Sequence, residues 1–299
     1  MISCSSELRR CRPCLGTLVE VTVECADPAG AHDGIESAYQ AVMLVQKLMS
    51  AHDARSELSV LNRTAHLRAV KVHPWVYEVL QEAETLRVRS AGLFNVAVGG
   101  ELERLGYLPE TGESSTRGAG TFHTDEPMVE LMSGHRVRFA RALRLDLGGI
   151  AKGFAVDQAV LALERAGFTN GMVNAGGDLR VFGPRPRRIH IRHPETPGEL
   201  LPLLEISNRA LCTSADYFSR KTEGGREVTP LIDPRTGESS GRRISVSVAA
   251  QTALHADALT KVVTLAGSEA SAVLEDYGAH AFILQPDRPP ALLGAPLYE

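Results

Sequence analysis

Hydrophobic and polar residues alternate along this chain with two different periods, and each period predicts a different element. Residues 19–24 alternate valine with glutamate or threonine, which predicts a strand that ends at the turn-forming residues 27–30. Residues 35–49 and 76–89 carry an apolar stripe at helical spacing instead, which predicts two amphipathic helices. The alternation returns at 138–145 and predicts another strand.

The second half of the chain mixes the same two patterns. Apolar residues at 155–163 recur at helical spacing until Gly167, and 253–265 reads as a similar helix that ends at Gly267. So many strands exclude a helical bundle, and the predicted fold class is α+β, with mixed sheets and packed helices. The further predicted strands lie at 189–191, 244–249 and 279–284.

Two stretches interrupt these patterns. Residues 107–128 are polar and rich in Gly, Ser and Thr, and several prolines fall within 183–202. Such stretches are candidate loops or lobe boundaries. We therefore predict an N-terminal tail over 1–14 and a single domain over 15–299, with two lobes as the alternative if these loops mark a boundary.

The composition limits the partners and the location of the protein. The 299 residues carry 32 Lys and Arg against 36 Asp and Glu, a net charge of −4, so the chain lacks the basic field that holds a nucleic-acid backbone. No window approaches the roughly 18 uninterrupted apolar residues of a membrane span, and the first residues show no apolar signal segment. We therefore expect a protein that binds no nucleic acid and does not span a membrane, and that is cytoplasmic as the sequence is given, with export as the alternative.

Four of the five cysteines lie in the first 25 residues, and Cys11 and Cys14 form a C-x-x-C pair. A structural zinc site needs a second ligand pair, and none follows at a suitable spacing. We interpret the pair as reduced and incidental, with metal or redox use as the alternative.

The run from Asp146 to Asp157 places glycines, one lysine and two carboxylates between a predicted strand and a predicted helix. A helix N-terminus exposes unpaired backbone N–H groups that glycines let an anion approach, so this junction is a candidate phosphate site to which Lys152 adds a charge. The run matches neither common nucleotide-binding glycine motif. The alternative is that Gly148 and Gly149 only form a tight turn.

Seven short motifs follow one another along nearly the whole chain. They are LGT (15–17), MSAHDARSELS (49–59), FNVAVG (94–99), NAGGDL (174–179), LCTSADY (211–217), IDPRTG (232–237) and ADAL (256–259). In this order they resemble the ApbE family of FAD:protein FMN transferases. The resemblance implies a T-fold architecture, FAD in a cleft and Mg²⁺ on its pyrophosphate. It also implies transfer of FMN to a Thr or Ser hydroxyl of an acceptor flavoprotein, with release of AMP.

The resemblance also implies roles for particular residues. Leu15 stands where the family usually has a methionine, and His52 where a tyrosine is common, while Phe94, Asp146 and Lys152 match the family. Its metal ligands correspond to the backbone carbonyl of Gly149 and the carboxylate of Asp257. Its FAD contacts correspond to Leu15, His52, Leu93, Phe94, Asn95, Asp146, Lys152 and Leu231.

One departure from the family falls on the metal site. The family has a Thr ligand four residues after the Asp, whereas here Asp257 is followed at that spacing by Lys261. Residues at i and i+4 share a helix face, so we expect the Lys261 ammonium against the Asp257 carboxylate, where the metal would be. An ordinary exposed ion pair is the alternative, and Thr260 is a candidate substitute hydroxyl.

A second departure removes a candidate base. The family commonly has a histidine three residues before Asp233, where this chain has Pro230, which offers no side-chain acceptor. His255 is the nearest candidate replacement by motif. Three hypotheses follow: an active transferase with an altered metal and base arrangement, an FAD-binding module in which Lys261 replaces Mg²⁺, and an unrelated nucleotide-binding enzyme.

Overall fold

Eight antiparallel strands form one large sheet in the computed structural model of this protein, which describes residues 6–26, 28–110, 128–192, 200–215, 220–286 and 288–294. Along the chain the strands are β1 (Ser6–Cys14), β2 (Thr17–Cys25), β3 (Val70–Lys71), β4 (Val129–Met132), β5 (Arg136–Phe139), β6 (Gly171–Ala175), β7 (Asp178–Phe182), β8 (Arg187–Arg192), β9 (Leu200–Ile206), β10 (Arg209–Ala215), β11 (Lys221–Glu223), β12 (Arg226–Val228), β13 (Ile232–Asp233), β14 (Glu238–Ser239), β15 (Ser245–Ala250), β16 (His280–Leu284) and β17 (Ala291–Leu293). The helices are α1 (Pro28–Met49), α2 (Glu57–Thr64), α3 (Pro74–Arg89), α4 (Gly99–Arg104), α5 (Ala151–Arg165), α6 (Ala253–Ala266) and α7 (Ser271–Asp276), with a 3₁₀-helix at Gly267–Ala270.

The large sheet has the strand order β1-β2-β6-β7-β10-β15-β16-β17. The residues expected as an N-terminal tail differ from that expectation, because most of them form β1, which pairs with β2 along its whole length. A tight turn joins the two strands, in which Leu15 and Gly16 take φ values of 55° and 71°. The sheet therefore begins before the position where the family motifs begin.

Three helices, α1, α5 and α6, cover one face of the sheet. Val19, Val21 and Val23 point toward them and are fully buried, since alternate residues of a strand face the same side. The four apolar stripes that predicted helices lie in α1, α3, α5 and α6, so those predictions are confirmed. The main core lies between the helices and this face of the sheet.

The opposite face of the sheet carries a second, smaller apolar cluster. The β8–β9 hairpin lies over this face, and its Ile189 and Ile206 pack with Leu179 and Leu211 of the sheet. Toward β2 the same face is open among the described residues, and Leu18 there is 62% exposed. A groove therefore runs between the hairpin and β2.

A small three-stranded sheet, β3-β5-β4, accompanies the large one. Its central strand ends at Phe139, so the strand predicted over 138–145 is wrong beyond that residue. Leu143 and Leu145 are buried, but Arg144 between them is buried as well, so burial does not alternate here. The N–H and C=O of Leu145 pair with Oδ1 and Nδ2 of the Asn62 side chain, which takes the place of a neighbouring strand.

The two stretches considered as lobe boundaries lie partly outside the described residues. The structure does not describe 111–127 of the first stretch or 193–199 of the second. The division of 15–299 into one domain or two lobes therefore stays a prediction. In the parts of the chain that are described, each helix is too short or too polar to cross a membrane.

Candidate active site

A cavity of about 320 Å³ opens where several loops from distant parts of the chain meet. Apolar side chains form most of its walls and a few polar groups converge on it, as is usual for small-molecule sites. Gly149, Pro230 and Lys261 line it as well. The cavity brings together six of the residues expected to contact FAD, namely His52, Leu93, Phe94, Asn95, Asp146 and Leu231.

Local hydrogen bonds fix the loops that carry these side chains. Oδ1 of Asn95 accepts a bond from the N–H of Ala97 at 2.9 Å. The N–H of Asp146 donates to the carbonyl of Val96 at 2.8 Å. The first bond fixes the shape of the loop after α3, and the second joins that loop to the segment before α5, so two walls of the cavity hold each other in place.

Asp146 supplies a carboxylate to the cavity. Its Oδ2 accepts a hydrogen bond from the N–H of Gly148 at 3.1 Å. Burial raises the pKa of Asp146, and the charges of His52, Arg144 and Lys261 oppose that shift. The carboxylate therefore lies within electrostatic reach of both the His52 imidazole and the Lys261 ammonium.

The start of α5, the candidate anion site, has fewer available amides than its sequence suggests. Four of the backbone N–H groups between positions 148 and 153 are already bonded within the protein. The groups left to attract an anion at this junction are therefore chiefly cationic side chains. The bonded donors are Gly148, Ile150, Ala151 and Gly153, and their acceptors are Asp146, Leu147 and Asp257.

A second cavity, a groove of about 920 Å³, lies on the open face of the large sheet. Residues of β2, β6, β7 and β10 form its floor, and β8 forms one wall. Lys152 lines this groove and not the first cavity, so the structure separates it from the six residues gathered there. Ser214 and Lys261 line both cavities, so the two spaces adjoin at these residues.

An ion pair lies at the side of the groove. Nζ of Lys152 is 2.6 Å from Oδ2 of Asp178. Burial opposes the charge of Lys152, but the carboxylates of Asp178 and Asp257 outweigh it and raise the lysine pKa. Burial and the neighbouring charge of Asp257 raise the pKa of Asp178, against the attraction of Lys152. Asp178 belongs to the NAGGDL motif, from which no role for it was predicted.

Two carboxylates tie the N-terminal ends of α5 and α6 to each other. On α6, Oδ2 of Asp257 accepts the N–H of Gly153 at 3.0 Å. On α5, Asp157 accepts the N–H groups of Ala253 at 3.0 Å and Leu254 at 2.8 Å. Each helix thus satisfies amides that the other leaves unpaired at its start. Glycine is required at the crossing, because a Cβ on residue 153 would lie 2.1 Å from the carbonyl oxygen of Ala253.

The other oxygen of Asp257 contacts Lys261, as the i,i+4 spacing predicts. Nζ of Lys261 donates to Oδ1 and also to the backbone carbonyl of Asp257, the latter at 3.1 Å. The lysine chain passes beside Gly149, where an added Cβ would lie 3.4 Å from Cε. Asp257 is fully buried, so this is not an ordinary exposed ion pair. The lysine therefore contacts both residues expected to bind magnesium.

The residues present do not fit a divalent cation in addition to this lysine. Both carboxylate oxygens of Asp257 already have a donor, and Mg²⁺ requires several oxygen ligands in a near-octahedral set. The hydroxyl of Thr260, the candidate substitute ligand, is buried and donates to the carbonyl of Asp257 at 2.7 Å. Within the described ranges, no three His, Cys, Asp or Glu side chains gather to hold a metal. The donor set fits an ammonium at this place.

Leu15 and His255 line neither cavity. Leu15 packs against the main core, and its N–H donates to Oε1 of Gln46 on α1 at 2.8 Å. The imidazole of His255 lies 2.9 Å from the hydroxyl of Thr252 and 3.2 Å from a carboxylate oxygen of Glu82. The structure therefore separates Leu15 from the other expected FAD contacts and does not favour His255 as a replacement base.

Cys11 and Cys14 do not form a shared site. They are three residues apart on β1, and a strand turns such side chains to opposite faces. Cys11 lines the groove, whereas Cys14 packs against the main core, and both are free thiols. This placement favours the incidental interpretation of the pair.

Comparison with known proteins identifies the family. The model of the ApbE family matches residues 15–283. An FAD:protein FMN transferase from Rhodobacter capsulatus is 34% identical to this chain over 265 residues. The alignment covers 85% of this chain but 50% of the relative, so the chain spans about half the length of that protein. Another from Treponema pallidum (strain Nichols) is 29% identical, with 94% of this chain and 85% of the relative covered.

Solved structures show the same fold. The flavin transferase ApbE from Vibrio cholerae superposes with a TM-score of 0.80 at 24% identity, and the ApbE protein from Thermotoga maritima with 0.82 at 24% identity, each over 96% of both chains. The predicted α+β class is confirmed. A family match over nearly the whole chain also contradicts the hypothesis of an unrelated nucleotide-binding enzyme. The chain belongs to the ApbE family.

Proposed function

We propose that this chain is an FAD:protein FMN transferase, which moves FMN from FAD to a Thr or Ser hydroxyl of an acceptor protein and releases AMP. The proposal depends on one observation: six of the eight expected FAD contacts gather in a single cavity, although they come from positions 52 to 231. Relatives that cover most of this chain carry the name of the same reaction, which supports the proposal.

The two adjoining cavities suit the two halves of FAD. A drug-sized ligand already fills a pocket of about 300–1,000 Å³, so a dinucleotide needs more room than the first cavity offers. Laid across the junction, its pyrophosphate meets Lys261 and Ser214. One half then lies against the apolar walls near Phe94 and Leu231, and the other enters the groove beside Lys152.

Lys261 is the cation best placed to neutralise the pyrophosphate. An ammonium has three N–H donors, and two of them are used by oxygens of Asp257. The third is left for an anion at the junction, since the lysine side chain is 22% exposed. Transfer of a phosphoryl group depends on charge neutralisation and on a positioned nucleophile. In this chain the Lys261 ammonium provides the charge neutralisation.

Intact-mass spectrometry tests the proposed transfer. The purified chain is mixed with FAD and with an acceptor polypeptide that the Vibrio cholerae flavin transferase modifies, and that enzyme is the positive control. We expect a covalent FMN adduct on the acceptor and an equal amount of AMP, measured by chromatography. If the control enzyme gives an adduct and this chain gives none, the chain is not a transferase for that acceptor class.

FAD binding without transfer is the second candidate function. Two observations favour it: Lys261 holds the place expected for Mg²⁺, and Pro230 lines the cavity without offering a base. FAD should then bind equally well in Mg²⁺ and in EDTA. Lys261→Ala should weaken FAD binding by about 1.5–3 kcal/mol, or about 10- to 150-fold in Kd, because a charged hydrogen bond is lost.

A second variant separates the lysine from the metal. Lys261→Thr restores the residue of the family and releases one oxygen of Asp257, so FAD binding by this variant should become tighter when Mg²⁺ is added. Lys71→Ala, at an exposed lysine that lines neither cavity, is the control and should leave the Kd unchanged. Binding of FAD by the wild-type chain that requires Mg²⁺ would contradict the role given to Lys261. The adduct assay then distinguishes the two candidate functions.

A further inference from the structure

We propose that the imidazole of His52 is the base that accepts the proton of the attacking acceptor hydroxyl. This inference rests on the transferase function proposed above. The cavity needs such a group, because a hydroxyl must lose its proton as it bonds to phosphorus and a general base typically accelerates such a step by about 10²–10⁴-fold. Pro230, in the same cavity, has no side-chain acceptor.

His52 presents an available imidazole at the wall of the cavity. It lies in the loop between α1 and α2 and shares the cavity with Asp146 and Lys261. The loop is anchored, since the N–H of His52 donates to the hydroxyl of Ser50 at 3.3 Å. The side chain is exposed, and among the described residues no hydrogen bond or ion pair engages its ring. A ring nitrogen therefore keeps its lone pair for a substrate proton.

The other histidines that the structure describes are placed less well. His190 lines the groove and not the first cavity, and the remainder line neither space. His73 is the N-cap of α3, and the ring of His255 is engaged by Thr252 and Glu82. Position 52 is therefore where the described part of the chain brings an imidazole to the first cavity.

The charges that face His52 allow it to take up a proton. Asp146 lies near enough for the two groups to influence each other, and its carboxylate stabilises the imidazolium that forms. Asp146 is less available as a base, because its Oδ2 already accepts the N–H of Gly148. Lys261 lines the same cavity and is placed to attract the pyrophosphate, while Asp53 and Arg55, on the same loop as His52, pair with each other.

The step is one displacement at the phosphorus of the FMN half. The acceptor oxygen forms a bond to that phosphorus, and the bond from the phosphorus to the bridging oxygen breaks. The electron pair of the broken bond leaves on the phosphate of AMP. The proton of the hydroxyl passes to a ring nitrogen of His52 and then to solvent.

Single-turnover transfer by FAD-saturated protein measures this step apart from FAD binding. His52→Gln should slow the formation of covalent FMN by about 10²–10⁴-fold at saturating FAD. Flavin fluorescence measures any change in the Kd for FAD separately, so weaker FAD binding is not mistaken for a slower step. The wild-type rate should depend on pH, because only a neutral imidazole can accept a proton, and this dependence should be absent in His52→Gln. Pro230→His in the His52→Gln background returns an imidazole to the same cavity, and we expect it to restore part of the rate and of the pH dependence.

The control is His32→Gln, at an exposed position of α1 that lines neither cavity, and it should behave like wild type. The inference is overturned if His52→Gln keeps the wild-type rate, or if His190→Gln is the variant that removes the pH dependence. It is also overturned by a loss in His52→Gln that is equal at every pH and that Pro230→His does not restore. Wild-type protein that forms no adduct and releases no AMP overturns the transferase function, and the base with it.

Discussion

Gly153→Ala should separate α5 from α6 and destabilise the whole protein. The new Cβ would lie 2.1 Å from the carbonyl oxygen of Ala253 and 2.9 Å from Cβ of Asp257, whereas ordinary contact begins near 3.4 Å. Backbone atoms cannot swing aside as a flexible side chain can. The helices must therefore move apart by about 1 Å at the crossing, which also stretches the 3.0 Å bond from Gly153 to Asp257.

The size of the effect follows from three contributions. Overpacking of this kind costs about 1–3 kcal/mol, and a lost hydrogen bond to a charged group costs about 1.5–3 kcal/mol. Alanine returns about 1 kcal/mol because it is the better helix former. We therefore expect Gly153→Ala to lower the free energy of unfolding by about 1.5–5 kcal/mol.

Urea denaturation followed by circular dichroism measures this loss. Ala162→Gly, the opposite exchange in the same helix, calibrates the propensity contribution and should cost about 1 kcal/mol. If Gly153→Ala is as stable as wild type, or more stable by that amount, the close crossing of α5 and α6 does not constrain residue 153.

Two further predictions concern buried polar groups. Burial raises the pKa of Tyr39 to about 12, so the folded state keeps the phenol neutral at a pH where the unfolded chain, with a pKa near 10, ionises it. This contribution to the free energy of unfolding is present below about pH 10 and is lost as the pH rises to about 12. In Tyr39→Phe, the urea midpoint should fall less steeply over this pH range than in the wild type. Asp157→Asn should lower the free energy of unfolding, measured by urea denaturation, by about 3–5 kcal/mol. The substitution leaves Arg180 without its counterion and one backbone N–H of α6 without an acceptor. Arg180→Met in that background should recover part of the loss, and strictly additive losses would show that the pair is not coupled.

The elements could be predicted where the burial of side chains follows the period of the element. Val19, Val21 and Val23 mark β2, and the stripe in α6 ends where Gly267 takes a φ of 60°. The strand over 138–145 failed for a physical reason. The pattern of apolar and polar residues does not show that Arg144 is buried between Leu143 and Leu145. A strand also needs a neighbouring backbone, and here the Asn62 amide takes that place.

In the candidate site, too, only contacts between residues close in sequence could be predicted. The contact of Lys261 with Asp257 could be predicted, because four residues along one helix fix the geometry. The bond from Gly153 to Asp257 joins residues about a hundred positions apart, and no local pattern encodes it. The placement of Ser214 and Lys261 beside both cavities was missed for the same reason, since β10 and α6 meet only in the folded chain.

The Asp257 carboxylate accepts hydrogen bonds from both Gly153 and Lys261, and this double role affects which residues are retained during the evolution of the family. One of its oxygens holds the start of α5 through Gly153, so loss of the carboxylate would be selected against on grounds of folding alone. Lys261 pairs with the other oxygen but holds no second helix in place, and its side chain is partly exposed where the two cavities adjoin. Selection on the fold would thus retain the aspartate whether or not the site holds a metal, while the fold constrains the residue four positions later less. The aspartate at 257 therefore reflects a requirement of the fold, and the residue at 261 is the better indicator of the chemistry at the site.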